Sequence, residues 1–124
     1  MNLNQLHSVY LLGIGGIGMS ALAKWFKHRG LSVAGYDRLS TPLTLSLQAL
    51  SIEVHFEDNI SQLSEKYIDD LQTLVIYTPA IPASSKLLKF FKAGGFQVKK
   101  RSQVLGMITR DHFSIAIAGT HGKT

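Results

Sequence analysis

Cysteine is absent from this 124-residue chain, which excludes disulfide bonds and any metal site built on thiolates. Long hydrophobic runs are missing too. The longest stretch without a clearly polar residue covers residues 9–19 and contains four glycines, and a membrane-spanning helix needs ~20 apolar residues. The first five residues include no basic residue, so no secretory signal is predicted. These absences predict a soluble, cytoplasmic domain that has no membrane among its partners.

Charge is sparse and unbalanced. Charged residues make up 17% of the chain and hydrophobic residues 45%, which excludes a disordered protein. Thirteen basic and eight acidic residues give a net charge of +5, which suits an anionic partner. Residues 71–110 contain seven basic residues and no acid: Lys86, Lys89, Lys92, Lys99, Lys100, Arg101 and Arg110. The first three are spaced as a solvated helix face, so nucleic acid is not a predicted partner. Arg101 stays a candidate because it lies at a strand end, where sheets of this type bind ligands.

Strand-like and helix-like segments alternate along the chain. Short apolar segments predict strands at residues 9–12, 32–36, 53–56, 73–77, 97–99 and 113–118. Helical patterns lie between them, with an apolar stripe at residues 19–26, further helices at 42–50, 85–93 and 102–109, and a weak helical turn at 59–66. The alternation is typical of βαβ units. It predicts a Rossmann-like, doubly wound α/β domain with a mainly parallel sheet and helices on both faces.

A glycine-rich loop joins the first predicted strand to the first helix. Residues 13–18 read Gly-Ile-Gly-Gly-Ile-Gly, which fits G-x-G-x-x-G in the context that gives this motif its meaning. Gly13 permits the tight turn, Gly15 lets the backbone approach a diphosphate, and Gly18 allows close packing. Asp37 ends the second strand 19 residues after Gly18, near the spacing at which an acid meets a ribose hydroxyl. The loop predicts a diphosphate or dinucleotide site without choosing between ligands.

A second phosphate-binding pattern closes the sequence. Residues 119–124 read Gly-Thr-His-Gly-Lys-Thr after an apolar strand. In such loops backbone N–H groups hold phosphates, the lysine reaches the β- and γ-phosphates and the threonine hydroxyl binds Mg²⁺. The spacing departs from the general pattern, because position 117 is Ile117 and the glycine present is Gly119. Since a helix normally follows such a loop, we expect a longer protein that continues into an ATP-binding domain.

The two loops together resemble those of the Mur ligases. The resemblance rests on Gly-Ile-Gly-Gly-Ile-Gly-Met-Ser at residues 13–20 and Ala-Gly-Thr-His-Gly-Lys-Thr at residues 118–124. Between them, Gly35-Tyr36-Asp37, Thr78-Pro79-Ala80-Ile81 and residues 100–105 are similar to further family segments. The short form of the second loop is also the family's form. The similarity is strongest to the branch that joins L-alanine to UDP-N-acetylmuramate.

This resemblance implies a UDP-sugar-binding domain at residues 1–112, and at 113–124 the first strand and phosphate loop of a central ATP-binding domain. It implies that ATP and Mg²⁺ activate the lactyl carboxylate of UDP-N-acetylmuramate as an acyl phosphate, which L-alanine then attacks. The implied UDP-sugar residues are Gly15, Gly16, Ile17, Gly18, Asp37, Thr78, Pro79, Ala80 and Ile81. The implied ATP residues are Gly119, Thr120, His121, Gly122, Lys123 and Thr124, with Lys123 catalytic and Thr124 the Mg²⁺ ligand.

Other functions stay open at this point. A ligase that attaches a recycled tripeptide to the same UDP sugar shares the first loop. An NAD(P)-dependent oxidoreductase would also use G-x-G-x-x-G, although it needs no triphosphate loop at residues 119–124. This chain departs from many Mur ligases at Glu57-Asp58, where they carry Gly-His, and at Tyr77-Thr78-Pro79. These departures bear on the uridine contacts and leave the diphosphate loop untouched.

Overall fold

The computed structural model describes residues 5–69 and 71–109. Its strands are β1 (Ser8–Leu12), β2 (Ser32–Tyr36), β3 (Glu53–His55), β4 (Thr73–Tyr77) and β5 (Gln97–Lys100). Its helices are α1 (Ile17–His28), α2 (Pro42–Ala49), α3 (Lys66–Asp69), α4 (Lys86–Ala93) and α5 (residues 101–109), with a 3₁₀ turn at Ile60–Gln62. None of the helices within these residues is long and apolar enough to cross a membrane.

The five strands form one sheet in the order β3-β2-β1-β4-β5, and all four pairings are parallel. The chain starts in the middle of this sheet, moves outward through β2 and β3, and then returns to the other side of β1. The order therefore reverses between β1 and β4, and the carboxyl ends of these two strands meet at a topological switch point. Ligands of open α/β sheets bind there. The predicted doubly wound parallel fold is confirmed.

β1 is the centre of the core. All five of its residues are buried, as the unbroken apolar run at its position predicts for a strand covered on both faces. Because side chains alternate along a strand, Val9 and Leu11 face one helical layer, while Tyr10 and Leu12 face the other. The first layer contains α1, α2 and α5, and the second contains α3 and α4. Helices on both faces were predicted and are present.

α1 packs through the predicted stripe. Met19, Leu22, Ala23 and Phe26 are all buried in the core on one face of the sheet. Gly30 has a φ of +91° and lets the chain reverse after the helix. On the opposite face of the sheet, Leu87, Leu88 and Phe91 of α4 are buried, whereas its three lysines are exposed. The solvated basic face predicted for this helix is therefore confirmed.

The short elements differ from their predicted bounds. The segment predicted as a weak turn at residues 59–66 contains the 3₁₀ turn, and α3 follows it as a separate four-residue helix. β5 is an edge strand of the described sheet and is one residue longer than predicted. The predicted strand at 113–118 and the proposed domain boundary at 112/113 lie outside the described residues.

Candidate functional site

The chain turns sharply from β1 into α1 through residues 13–16. Gly13 has a φ of +92°, a left-handed conformation that would strain any side chain. The backbone N–H groups of Gly13 and Ile14 both donate to the carbonyl of Tyr36 at the end of β2, at 2.8 and 3.0 Å. The Gly16 N–H donates to the Gly13 carbonyl at 3.2 Å. These bonds hold the loop against β2 and place the first turn of α1 at the carboxyl edge of the sheet.

α1 begins without a side-chain cap. Its N-cap residue is Gly16, and its first turn contains no acidic residue. The first N–H groups of a helix have no partners within the helix, and the helix dipole makes this end positive. Ile17, the first helical residue, is 83% exposed, so this end of the helix faces solvent. No side chain of the first turn compensates the positive end of this helix dipole, so it can attract an anion.

The neighbouring helices are capped from within the protein. At α2, the Thr41 hydroxyl accepts from the Thr44 N–H at 3.2 Å, and the Thr44 hydroxyl accepts from the Thr41 N–H at 2.8 Å. This reciprocal pair forms a capping box. At α4, the Ser85 hydroxyl accepts from the Leu88 N–H at 3.2 Å. Of these three helices, α1 is the one whose N-terminus has no side-chain cap.

Asp58 adds a second cap to α4 from a distant part of the chain. Its Oδ1 accepts from the Leu87 N–H at 2.9 Å and from the Ser85 hydroxyl at 3.1 Å. Its Oδ2 accepts from the Lys86 N–H at 3.1 Å. A carboxylate in this position compensates the positive end of the helix. Asp58 therefore connects the segment after β3 to α4 and removes the α4 N-terminus as a competing anion site.

A cavity of about 460 Å³ opens at the switch point, within the range typical of small-molecule sites. The glycine loop, the ends of β2 and β4, and the start of α4 form its walls. The lining residues are Gly13, Gly16, Tyr36, Asp37, Arg38, Asp58, Thr78, Ala80, Ile81, Pro82 and Ser85. Most of this wall is neutral, and the charged side chains are one arginine and two carboxylates. The composition suits a nucleoside better than a group of phosphates.

Tyr36 is the aromatic side chain in this wall. Partial burial raises the pKa of its hydroxyl, and the Asp58 and Asp37 carboxylates raise it further, while Arg38 acts in the opposite direction. The hydroxyl is therefore protonated at neutral pH. Tyr36 offers the cavity an aromatic ring and a neutral O–H group that can donate or accept a hydrogen bond.

Asp37 is bound to the glycine loop. Its Oδ2 accepts from the Gly15 N–H at 2.8 Å, and its Oδ1 lies 3.4 Å from the Leu39 nitrogen. A side chain at Gly15 would come within 2.8 Å of the same carboxylate oxygen. The acid that the sequence assigned to a ribose hydroxyl thus holds the backbone of the loop, while still facing the cavity.

The predicted UDP-sugar residues lie around this edge of the sheet, although only some of them reach the cavity. Five of the nine line it: Gly16, Asp37, Thr78, Ala80 and Ile81. Gly15 lies against Asp37, and Pro79 is exposed on the loop after β4. Ile17 is exposed at the start of α1, and Gly18 lies beneath the Arg101 side chain.

Sequence reasoning missed several lining residues that share one signal. Tyr36, Arg38 and Asp58 all lie at or just after the carboxyl end of a strand, where this class of sheet binds ligands. Ser85 was predicted only as a helix start. The residues assigned to ATP and Mg²⁺ (Gly119, Thr120, His121, Gly122, Lys123 and Thr124) lie outside the described residues.

Comparison with known proteins identifies relatives of the whole chain. The model of the Mur ligase family, catalytic domain, matches residues 8–113. A UDP-N-acetylmuramate–L-alanine ligase of Cytophaga hutchinsonii is 53% identical over 124 residues, which are 100% of this chain and 27% of that protein. The chain thus spans about a quarter of the length of the curated relatives it matches.

Solved structures share the fold. The UDP-N-acetylmuramate-alanine ligase of Thermotoga maritima aligns with a TM-score of 0.73 and 26% identity, over 83% of this chain and 23% of its own. The UDP-N-acetylmuramate:L-alanyl-gamma-D-glutamyl-meso-diaminopimelate ligase of Neisseria meningitides aligns with a TM-score of 0.68 and 25% identity, over 81% of this chain and 30% of its own.

Proposed function

Since this chain belongs to the Mur ligase family, we propose that its domain binds the uridine diphosphate part of UDP-N-acetylmuramate at the carboxyl edge of the sheet. The observation that carries the proposal is the difference among the three helix N-termini. α2 and α4 are capped by protein side chains, whereas α1 begins at an uncapped glycine beside a cavity of about 460 Å³. A diphosphate on α1 and a nucleoside in the cavity would use both features.

The ligand would cross the glycine loop. The uridine would occupy the wall formed by Tyr36, Asp37 and the loop of residues 78–81. The diphosphate would accept hydrogen bonds from the N–H groups of Ile17 and Gly18, at the positive end of the helix dipole. Asp37 would support this arrangement through its bond to Gly15. The net charge of +5 would favour the approach of such an anion.

For the whole protein we propose the ATP-dependent joining of L-alanine to the lactyl carboxylate of UDP-N-acetylmuramate. The support is the 53% identity to a relative of that name and the Gly-Thr-His-Gly-Lys-Thr sequence at 119–124. In this proposal Lys123 contacts the transferred phosphate and Thr124 the Mg²⁺ ion. ATP would supply the phosphoryl group that activates the carboxylate. Residues 1–112 would be the UDP-sugar domain, residues 113–124 would begin the ATP domain, and the protein would work in the cytoplasm, where its nucleotide substrates occur.

The competing functions differ in ligand, so thermal unfolding of the 124-residue chain separates them. UDP-N-acetylmuramate at 100 times its Kd should raise the free energy of unfolding by about 2.7 kcal/mol. This corresponds to a rise in Tm on the order of 10 °C for a domain of this size. NADH should have no comparable effect. A rise with NADH but none with the UDP sugar would contradict the proposal. A ligase that attaches a tripeptide to the same UDP sugar would show the same rise in Tm. Distinguishing L-alanine from the tripeptide as the second substrate therefore requires an assay of the whole protein.

Ile17 offers a variant that separates ligand binding from folding. Ile17→Glu places a carboxylate in the first turn of α1, where an acid stabilises the helix by about 0.3–1 kcal/mol. The same carboxylate should repel a diphosphate. We therefore expect the unliganded Tm to hold or rise while the shift caused by UDP falls sharply, as measured by scanning fluorimetry.

Ile17→Gln is the matched control, since its side chain is similar in size and shape to glutamate and carries no charge. It should keep most of the UDP shift. Equal shifts for the Glu and Gln variants would show that no diphosphate lies at the start of α1.

A further inference from the structure

Arg101 is a charged residue close to the glycine loop that lies outside the cavity wall. It follows β5 at the carboxyl edge of the sheet and is the first residue of α5. Its side chain is half-buried and extends over the first turn of α1. A Cβ atom built on Gly18 would lie 3.0 Å from Nη1 and 3.3 Å from both Cδ and Cζ of Arg101. The third glycine of the motif therefore makes room for this arginine.

Within the described part of the chain, no acidic side chain balances the positive charge of Arg101. The guanidinium lies beside the positive end of α1, which is itself uncapped. No acidic residue occurs between residues 72 and 109, and no described acidic side chain forms an ion pair with Arg101. Two positive groups that are close together and partly shielded from water repel each other. A bound anion between them would remove the repulsion.

We propose that Arg101 binds the β-phosphate of the UDP moiety, which is the phosphate farther from the nucleoside. This inference rests on the proposed function. The cavity lies on the Gly13–Gly16 side of the loop, and Arg101 lies on the Gly18 side. A nucleotide whose nucleoside fills the cavity passes the start of α1 with its α-phosphate and then reaches the guanidinium. Arginine suits this position because its planar fork can donate two parallel N–H bonds to one phosphate.

The test is calorimetric titration of the chain with UDP and UMP, which differ by the β-phosphate. Arg101→Ala should weaken UDP binding about 10- to 100-fold, the usual effect of losing hydrogen bonds to a charged group. It should weaken UMP binding less than threefold. Arg101→Lys should fall between Arg101→Ala and wild type for UDP, since lysine keeps the charge and loses the fork.

Lys100→Ala is the control for general electrostatics, because it removes the same charge from an exposed neighbouring position. Its effect on UDP should be below threefold. Gly18→Ala tests the same contact in a second way. Its methyl group would displace the far end of the Arg101 side chain, a flexible group that can move without disturbing the fold. UDP binding should weaken, and Gly18→Ala combined with Arg101→Ala should be no worse than Arg101→Ala alone.

The outcomes separate the two proposals. Failure of the wild type to bind either nucleotide would refute the proposed function itself. Binding of UDP by the wild type, with equal losses for UDP and UMP in Arg101→Ala, would overturn the role of Arg101 in holding the β-phosphate. An equal loss of UDP binding in Lys100→Ala would overturn it as well.

Discussion

Asp37 gives the most informative single perturbation, because the sequence and the structure assign it different tasks. The motif spacing predicts a contact with a ribose hydroxyl. In the structure its Oδ2 accepts the Gly15 N–H at 2.8 Å and holds the glycine loop. We expect Asp37→Ala to free this loop and to weaken the binding of every ligand that carries a diphosphate, whatever its sugar.

The size of the effect follows from the bond that is lost. A hydrogen bond to a charged group contributes about 1.5–3 kcal/mol, and the half-buried position of Asp37 favours the lower end. If the same bond fixes the loop for binding, its loss corresponds to about tenfold in Kd, at 1.4 kcal/mol per factor of ten. The free energy of unfolding should fall by a similar amount, about 1.5 kcal/mol.

Removing Asp37 also removes a negative charge near a proposed diphosphate, which would strengthen binding. Asp37→Asn separates the two effects, since its amide oxygen can still accept the Gly15 N–H without the charge. Calorimetric titration should give Asp37→Asn a Kd for UDP equal to or lower than that of the wild type, and Asp37→Ala a Kd about tenfold higher. Equal weakening in both variants would mean that the negative charge, and not the bond to Gly15, supports the site.

2′-Deoxy-UDP completes the design. If Asp37 positions the loop, Asp37→Ala should raise the Kd for UDP and the Kd for 2′-deoxy-UDP by the same factor. If Asp37 binds the ribose 2′-hydroxyl, Asp37→Ala should raise the Kd for UDP and leave the Kd for 2′-deoxy-UDP unchanged. The second pattern would refute the positioning role and restore the assignment made from motif spacing.

Two further predictions concern stability and are checked by urea unfolding. Gly35→Ala should lower the free energy of unfolding by at least about 1–3 kcal/mol, because its methyl would lie 2.5 Å from the Leu11 carbonyl oxygen and 2.6 Å from Ile14 Cδ1. An unchanged midpoint would contradict the packing of β2 against β1. Asp58→Ala should cost about 1–2 kcal/mol by removing the second cap of α4, and Asp58→Asn less, since an oxygen at Oδ1 still reaches Ser85 and Leu87. Equal losses in the two variants would argue against capping.

The features that the sequence predicted correctly are local. The apolar run of β1, the glycine loop and the stripe of α1 each occupy a few consecutive turns or residues, and period and turn chemistry identify such features. The helical segment around α3 was read poorly because four residues are too short to show a helical period. The parallel pairing of the strands followed from the alternation of strands and helices, whereas their order in the sheet was not predicted.

The contacts that sequence reasoning missed are long-range. Asp58 caps a helix that begins 28 residues later, and Arg101 lies over a glycine 83 positions before it in the chain. Neither pairing leaves a periodic or spacing signal, because strand order and helix placement decide which residues meet. The position of Arg101 at a strand end was visible, whereas its partner was not.

The distribution of caps explains why this edge of the sheet would bind a phosphate at one place and a neutral group at another. The helices α1, α2 and α4 begin at the carboxyl edge of the sheet, and each N-terminus would attract an anion if it were left uncapped. Thr41 and Asp58 satisfy two of them within the fold, whereas α1 begins at a glycine and has a guanidinium near its first turn. In the proposed function, this difference would orient a nucleotide with its diphosphate toward α1 and its base toward Tyr36. Asp58 would contribute to this orientation without contacting a phosphate, because it caps the N-terminus of α4.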